Sequence, residues 1–132
     1  MATLPGGYAQ DMSEPLTGLL AVAGRLADRF RSMPQSRLAA LAPEGLALAR
    51  RLARWAQSLE GGPDRGELPE AGIFVVGDQI ALAAHDLALA LRPHVEVGAE
   101  AEPKPEAAAV LADATAAVED LYRLATTRSA RM

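Results

Sequence analysis

The chain has 132 residues, of which 50% are apolar, and a formal net charge of −4 at pH 7. This length fits one domain that can bury its own core. The acidic balance argues against a general nucleic-acid binder, and the lack of cysteine excludes disulfides, thiolate zinc sites and thiol nucleophiles. Aromatic residues are few, whereas the abundant Ala and Leu favour helices.

The first predicted helix follows a short arm. Residues 1–12 show no periodic apolar pattern, so we expect a mobile arm there. Ser13 suits an N-cap and Pro15 suits the first turn of a helix. Apolar residues then recur at steps of three and four until Pro34, which predicts an amphipathic helix. They are Leu16, Leu19, Leu20, Ala23, Leu26, Ala27 and Phe30.

The second helical region contains an internal proline. Ser36 can cap a short helical piece that ends near residue 42, and Pro43 then suits the start of a new helix better than an interior position. The new helix is expected to reach Leu59. Its predicted buried face consists of Leu48, Ala49, Leu52, Trp55, Ala56 and Leu59.

Two linkers separate the remaining helices. Residues 60–72 contain several Gly and Pro and predict a loop. The third helix is expected from Ile73 to Leu91, with an end near Pro93, and residues 93–105 form an acidic, Pro-containing linker. Glu106 opens the last helix. Its predicted buried stripe consists of Val110, Leu111, Ala114, Val118, Leu121 and Ala125.

Four long helices joined by loops of moderate length predict an all-α fold. We expect an antiparallel four-helix bundle with a short extra helix near residues 36–42. One domain over residues 13–127 and a short tail at 128–132 follow from this division. No basic region precedes an apolar run at the N-terminus, so no signal peptide is expected. Polar residues within 73–91 would be costly in lipid, so we expect a cytoplasmic protein with no membrane partner.

The third helix carries two apolar faces when its residues are placed at about 100° intervals. One face is ordinary bundle core and consists of Ile73, Val76, Ile80, Ala84, Leu87 and Leu91. Roughly opposite lies a second line, Val75, Leu82 and Leu89, spaced by seven residues. Since a monomeric bundle buries one face of each helix, this line predicts the interface of a twofold homodimer. The alternative is a monomer in which the 60–72 loop or the N-terminal arm covers Leu82 and Leu89.

Asp78, His85 and Asp86 form the candidate polar site. A buried imidazole needs a hydrogen-bond partner, so we interpret His85 as a core or interface residue bonded to Asp78 or across a dimer axis. A ligand or metal site is an alternative, in which Asp113 or Asp120 of the last helix joins Asp78 and His85. The Glu-x-x-His pairs of di-iron bundles are absent from the sequence.

A second alternative rests on residues 84–87, which read Ala-His-Asp-Leu. This run resembles the phospho-accepting stretch of histidine phosphotransfer domains and histidine kinase dimerisation domains, which are also four-helix bundles. The resemblance implies that His85 accepts a phosphoryl group. Those families have basic, Gly or Pro residues after the histidine, whereas Ala88, Leu89 and Ala90 stand here.

Five arginines in the first half of the chain form a predicted basic patch: Arg25, Arg29, Arg50, Arg51 and Arg54. One interpretation is a solvated face. The other is a docking surface for an acidic protein partner, or for the acidic half of a second copy. Residues 37–54 look like a helix-turn-helix, but Arg51 would fall on its inward side, so no nucleic-acid partner is expected.

No pattern in the sequence indicates catalysis. Ser58 and Ser129 lack the surroundings of an activated nucleophile, and no Gly-rich phosphate loop opens a helix. We therefore expect no catalytic residues and no cofactor. The sequence predicts a small non-catalytic module for protein interaction, scaffolding or regulation that works as a homodimer.

Overall fold

The computed structural model of the protein describes residues 3–95 and 104–127, and their side chains from Pro15 onward. It contains four helices: α1 (Thr3–Ser32), α2 (Gln35–Glu60), α3 (Val76–Val95) and α4 (Glu106–Thr126). A single 3₁₀ turn, Ile73–Val75, leads into α3. No strand occurs among the described residues, so the predicted all-α class is confirmed.

Helix α1 begins upstream of the cap predicted at Ser13 and includes Pro15. It ends at Ser32, directly before the break that Pro34 predicts. The predicted apolar stripe is buried, except that Leu20 is half-buried. The arm predicted at residues 1–12 lies partly outside the described residues and stays a prediction, and the tail at 128–132 lies wholly outside them.

Helix α2 is continuous through Pro43, so the predicted break and the short extra helix are wrong. Buried residues keep their helical spacing across the proline: Leu38, Leu41, Ala42, Gly45, Leu48, Ala49 and Leu52. Pro43 leaves the carbonyl of Ala39 without its helical partner, but Ala39 is exposed, so water can bind that carbonyl. Packing on both sides of Pro43 therefore keeps one helix.

Helix α3 likewise continues through Pro93 to Val95, beyond its predicted end. The carbonyl that Pro93 cannot bond belongs to Leu89, which is exposed. Helix α4 begins at Glu106 as predicted, and every member of its predicted stripe is buried.

One hydrophobic core joins the four helices. Its largest fully buried side chains are Phe30, Leu19, Leu26, Leu52, Ile80, Leu87, Leu91 and Val118. Helix α3 packs against both α1 and α2, and α4 packs mainly against α1. Trp55 and Ile73, both predicted to be buried, are half-buried at the edge of this core. Among the described residues no polar or charged side chain is fully buried.

Helices α2 and α3 run in the same direction. A Cβ atom on Gly45, in the first half of α2, would lie 2.6 Å from Val76 Cγ1, at the start of α3. Farther along both helices, Gln57 of α2 and Asp86 of α3 line the same cavity. Residues 61–72, which we call the return loop, therefore lead back beside α2 before α3 begins. The contacts of Arg50 and Arg54 with Leu68 and Glu67 confirm this course.

This parallel pair corrects the expectation that each helix runs antiparallel to the one before it. Twelve extended residues reach up to about 40 Å, whereas the stretch of α2 from Gly45 to Glu60 rises only about 22 Å. The return loop is thus long enough to lead back to the level of Gly45. Helices α1 and α4 also share a direction, because Arg25 contacts Tyr122 and Arg29, one turn later in α1, contacts the Ala125 carbonyl, one turn later in α4.

Candidate functional site: the exposed face of α3

The described part of the chain has four exposed large apolar side chains, and three of them belong to α3 and its 3₁₀ turn. Phe74 is 69% exposed, Leu82 60% and Leu89 47%, while the fourth, Leu124 on α4, is 46% exposed. Monomeric proteins rarely group such residues on one surface without using it. We call Phe74, Asp78, Leu82, His85 and Leu89 the α3 face.

The position of the α3 face follows from how α3 packs. Its buried residues are Val76, Gly77, Ile80, Ala83, Ala84, Leu87, Ala88, Ala90 and Leu91, which face α1 and α2. Leu82 and Leu89 point away from both neighbours, as their spacing predicts. Val75 of the same predicted line is only half-buried. The return loop lies along α2 and leaves Leu82 and Leu89 uncovered, so it does not play the covering role considered for a monomer.

Asp78 is held by α1 instead of by His85. Its Oδ1 atom accepts hydrogen bonds from Arg31 Nη2 at 2.8 Å and from Arg31 Nε at 3.0 Å. Arg31 also donates to Asp28 at 2.9 Å. The hydrogen bond with Asp78 raises the pKa of the Arg31 guanidinium above its usual value, which keeps the arginine charged. The pair ties the start of α3 to the end of α1.

Gly77 allows this contact, and the sequence analysis did not single it out. A Cβ atom at this position would lie 2.9 Å from the carbonyl oxygen of Ala27 and 3.3 Å from Phe30 Cβ. Only glycine lets the two backbones approach this closely. A glycine at the start of an otherwise apolar helix was the available signal, since glycine weakens a helix unless packing requires it.

His85 is exposed in the middle of the α3 face and makes no hydrogen bond or ion pair with any described residue. Asp86 is also exposed, on the side of α3 that borders the return loop. Asp78 and His85 are about 10 Å apart along the helix axis, at 1.5 Å per residue. The structure therefore does not bring the three predicted polar residues together.

The described part of the chain contains no cluster of ligands that would support a metal site. No three His, Asp or Glu side chains there lie close enough together to hold one ion. Asp113 and Asp120 are exposed on α4, which packs mainly against α1. Asp120 forms an ion pair with Arg123 of its own helix.

The five predicted patch arginines contact different parts of the protein. On α1, Arg25 lies 5.9 Å from the centre of the Tyr122 ring, and Arg29 donates to the Ala125 carbonyl at 3.3 Å. On α2, Arg50 donates to the Leu68 carbonyl at 2.9 Å, Arg54 pairs with Glu67 at 3.0 Å, and Arg51 stacks on Trp55 at 4.8 Å. The contacts of Arg25 and Arg29 hold α4, and those of Arg50 and Arg54 hold the return loop.

A small apolar cavity of about 230 Å³ lies where α2, the return loop and α3 meet. Ala42, Pro43, Ile73 and Val76 line it together with Gln79. Gln79 Nε2 donates to the Pro69 carbonyl at 2.9 Å, while its buried Oε1 atom has no hydrogen-bond partner. The sequence alone does not indicate this contact of Gln79, because its loop partner depends on the path of the return loop.

The hydropathy of α3 has a structural explanation. The segment Ile73–Val95 is the one helix in the described part of the chain that is long and apolar enough to cross a membrane by length and composition, with a mean hydropathy of 1.5. Within the 18-residue stretch that has this hydropathy, 44% is buried inside the protein. Its high hydropathy reflects a core face and an exposed apolar face on one helix.

Fold and site together define an all-helical protein of four packed helices with an apolar exposed face on α3. The chain matches no protein-family model, no curated protein and no solved structure. The contacts and exposure of its own residues are therefore the basis for a function.

Proposed function

We propose that this protein is a small non-catalytic interaction module that acts as a homodimer through the α3 face. The observation that carries the proposal is the exposure of Leu82 and Leu89, two turns apart on a helix whose opposite side is core. Fully burying one leucine is worth about 1.5–3 kcal/mol. A helix that keeps two of them in water gains from any surface that removes both.

A second copy is the partner that suits this face best. A twofold axis brings the same face of two protomers together. Leu82 and Leu89 of both protomers are then buried in a single interface. The return loop leaves Leu82 and Leu89 open to such a partner. An acidic partner at the arginines has less support, because Arg29, Arg50 and Arg54 already bind groups of the protein itself.

The interface would be modest in size. One helix from each protomer buries less surface than the roughly 800 Å² per partner of a standard interface. Association also costs translational and rotational freedom, so we expect a dissociation constant on the order of 10 µM. Such a dimer exchanges its subunits readily and assembles according to concentration.

The test is the mass in solution measured by light scattering, for wild type and for Leu82→Glu. The monomer has a mass of 13.8 kDa, and we expect wild type to approach twice that value as concentration rises. Leu82→Glu places a charge in the centre of the interface and should stay monomeric. Leu124→Glu is the matched control, since Leu124 is as exposed as Leu89 but lies on α4. A monomeric mass for wild type at every concentration would contradict the proposal.

A second candidate function is phosphoryl transfer at His85. It is supported by the exposed His85 ring, which has no hydrogen-bond or ion-pair partner among the described residues, so that its imidazole nitrogens are accessible to a phosphoryl donor. Apolar Leu82 and Leu89 flank the ring, in place of the cations that would hold a phosphoryl charge. The exposure of His85 therefore supports its reaction with a phosphoryl donor, whereas its apolar neighbours would not stabilise the phosphohistidine product.

This candidate is tested with phosphoramidate as the phosphoryl donor and phosphorus NMR as the readout. His94→Ala keeps His85 as the only histidine, and His85→Ala keeps only the half-buried His94. A phosphohistidine signal that forms faster in His94→Ala than in an unfolded histidine peptide supports the candidate. Equal rates for the protein and the peptide would exclude a special role for His85.

A further inference from the structure

The α3 face has a symmetry of its own along the helix axis. Leu82 lies three residues before His85, and Leu89 lies four residues after it. Asp78 lies seven residues before His85, and Arg92, also exposed, lies seven after it. The midpoints of the charged pair and of the apolar pair therefore lie about half a residue apart, at His85 and just after it.

This inference rests on the proposed homodimer. We propose that the second copy binds the α3 face in the antiparallel direction, with its own Leu89 against Leu82 and its own Leu82 against Leu89. With a twofold axis near His85, each residue of one α3 helix lies opposite the residue of the partner helix that is equally far from His85 in the other direction along the sequence. A single twofold operation then forms both Leu82–Leu89 contacts and places the start of each α3 helix beside the end of the other.

The charges along α3 favour the antiparallel direction over the parallel one. At the start of α3, the exposed carboxylates of Asp28 and Asp78 flank one guanidinium, that of Arg31. At the other end, Arg92 carries a positive charge. Antiparallel pairing places the acidic starts of the two helices at opposite ends of the pair and opposes the two helix dipoles.

Parallel pairing would bury the same leucines but would place like ends together. Leu82 would meet Leu82, Leu89 would meet Leu89, and the acidic end would face its own copy. The apolar contact alone therefore does not select a direction. The distribution of charge along the face does, because like charges placed opposite each other weaken the interface.

Disulfide trapping distinguishes the two directions, because the chain contains no cysteine of its own. Leu82→Cys and ¹⁵N-labelled Leu89→Cys are purified separately, mixed and oxidised, and the covalent dimers are identified by intact mass. A disulfide needs Cβ atoms about 3.5–4.5 Å apart, so only facing positions crosslink efficiently. In the antiparallel dimer, the mixed pair still keeps one of its two Leu82–Leu89 contacts.

We expect the hybrid dimer in the mixture to exceed the covalent dimer of either variant alone by about fivefold or more. Leu82→Cys mixed with Leu124→Cys is the control and should give no hybrid above background. Efficient crosslinking of each variant with itself would overturn the antiparallel direction and indicate the parallel one. A dimeric mass without any of these crosslinks would also overturn it, while a monomeric wild type would overturn the proposed function as well.

Discussion

Arg31 donates two hydrogen bonds to the Asp78 carboxylate across the contact between α1 and α3. The neighbouring Gly77 lies directly against the backbone of Ala27, so the two helices are in close contact at this point. Together these residues fix the rotation of α3 about its own axis. With this rotation, Ile80 and Leu87 enter the core while Leu82 and Leu89 face outward.

The close contact at Gly77 predicts a loss of stability on adding a single methyl group. Gly77→Ala places Cβ 2.9 Å from the Ala27 carbonyl oxygen, and that backbone atom cannot move aside cheaply. We expect the free energy of unfolding to fall by about 1–3 kcal/mol, measured by urea denaturation. Gly24→Ala is the control, because nothing lies within 4 Å of its Cβ position. It should raise stability by about 0.5–1 kcal/mol, and a similar gain in Gly77→Ala would contradict the close contact.

The ion pair beside Gly77 should matter much less. Arg31 and Asp78 have side chains that are 45% and 70% exposed, and pairs of this kind contribute about 0–1 kcal/mol. We therefore expect Arg31→Gln to lower the free energy of unfolding by less than about 1 kcal/mol, with less effect at high salt. A loss as large as that of Gly77→Ala would mean that the charge pair, rather than the backbone contact, holds the two helices together.

Arg37, at the start of α2, binds the end of α4. Its Nη2 atom donates to the Leu124 carbonyl at 2.8 Å and to the Thr127 carbonyl at 3.0 Å, at the end of the helix, where no further helical turn supplies amide donors. We expect Arg37→Ala to lower the free energy of unfolding by about 0.5–2 kcal/mol. Hydrogen exchange of the last turn of α4 should also become faster. Unchanged exchange there would contradict a capping role.

The return loop should loosen when Arg50 is removed. The Arg50 Nε atom donates to the Leu68 carbonyl at 2.9 Å and lies 3.6 Å from Glu67. We expect Arg50→Ala to speed trypsin cleavage after Arg65, in this loop, by about threefold to tenfold, because local opening exposes the chain. Arg51→Ala is the matched control, since Arg51 stacks on Trp55 and makes no contact with the loop. Equal cleavage rates in the two variants would contradict an anchoring role for Arg50.

The helical class and most core residues follow from the sequence because helical spacing records which side of each helix is apolar. The stripe of α4 is a clear case, with all of its predicted members buried. The helix ends expected at Pro43 and near Pro93 do not occur, and the physical reason is the same at both prolines. Each proline leaves a carbonyl without its helical partner on an exposed residue, where water can bind it, and packing then decides the outcome.

The direction of α3 and the partners of its polar residues could not be predicted. Both depend on contacts between distant parts of the chain, such as Gly45 with Val76 and Arg31 with Asp78. Local pattern contains no information on such pairs. The outward position of Leu82 and Leu89 could be predicted, because it follows from spacing within one helix.

The most direct test of the central claim is the mass of the wild-type protein and of Leu82→Glu across a range of concentrations. The account predicts that wild type approaches twice 13.8 kDa at high concentration, while Leu82→Glu remains at 13.8 kDa and keeps its helical content. Two monomeric proteins, or two equally dimeric ones, would contradict the claim that Leu82 and Leu89 form the interface.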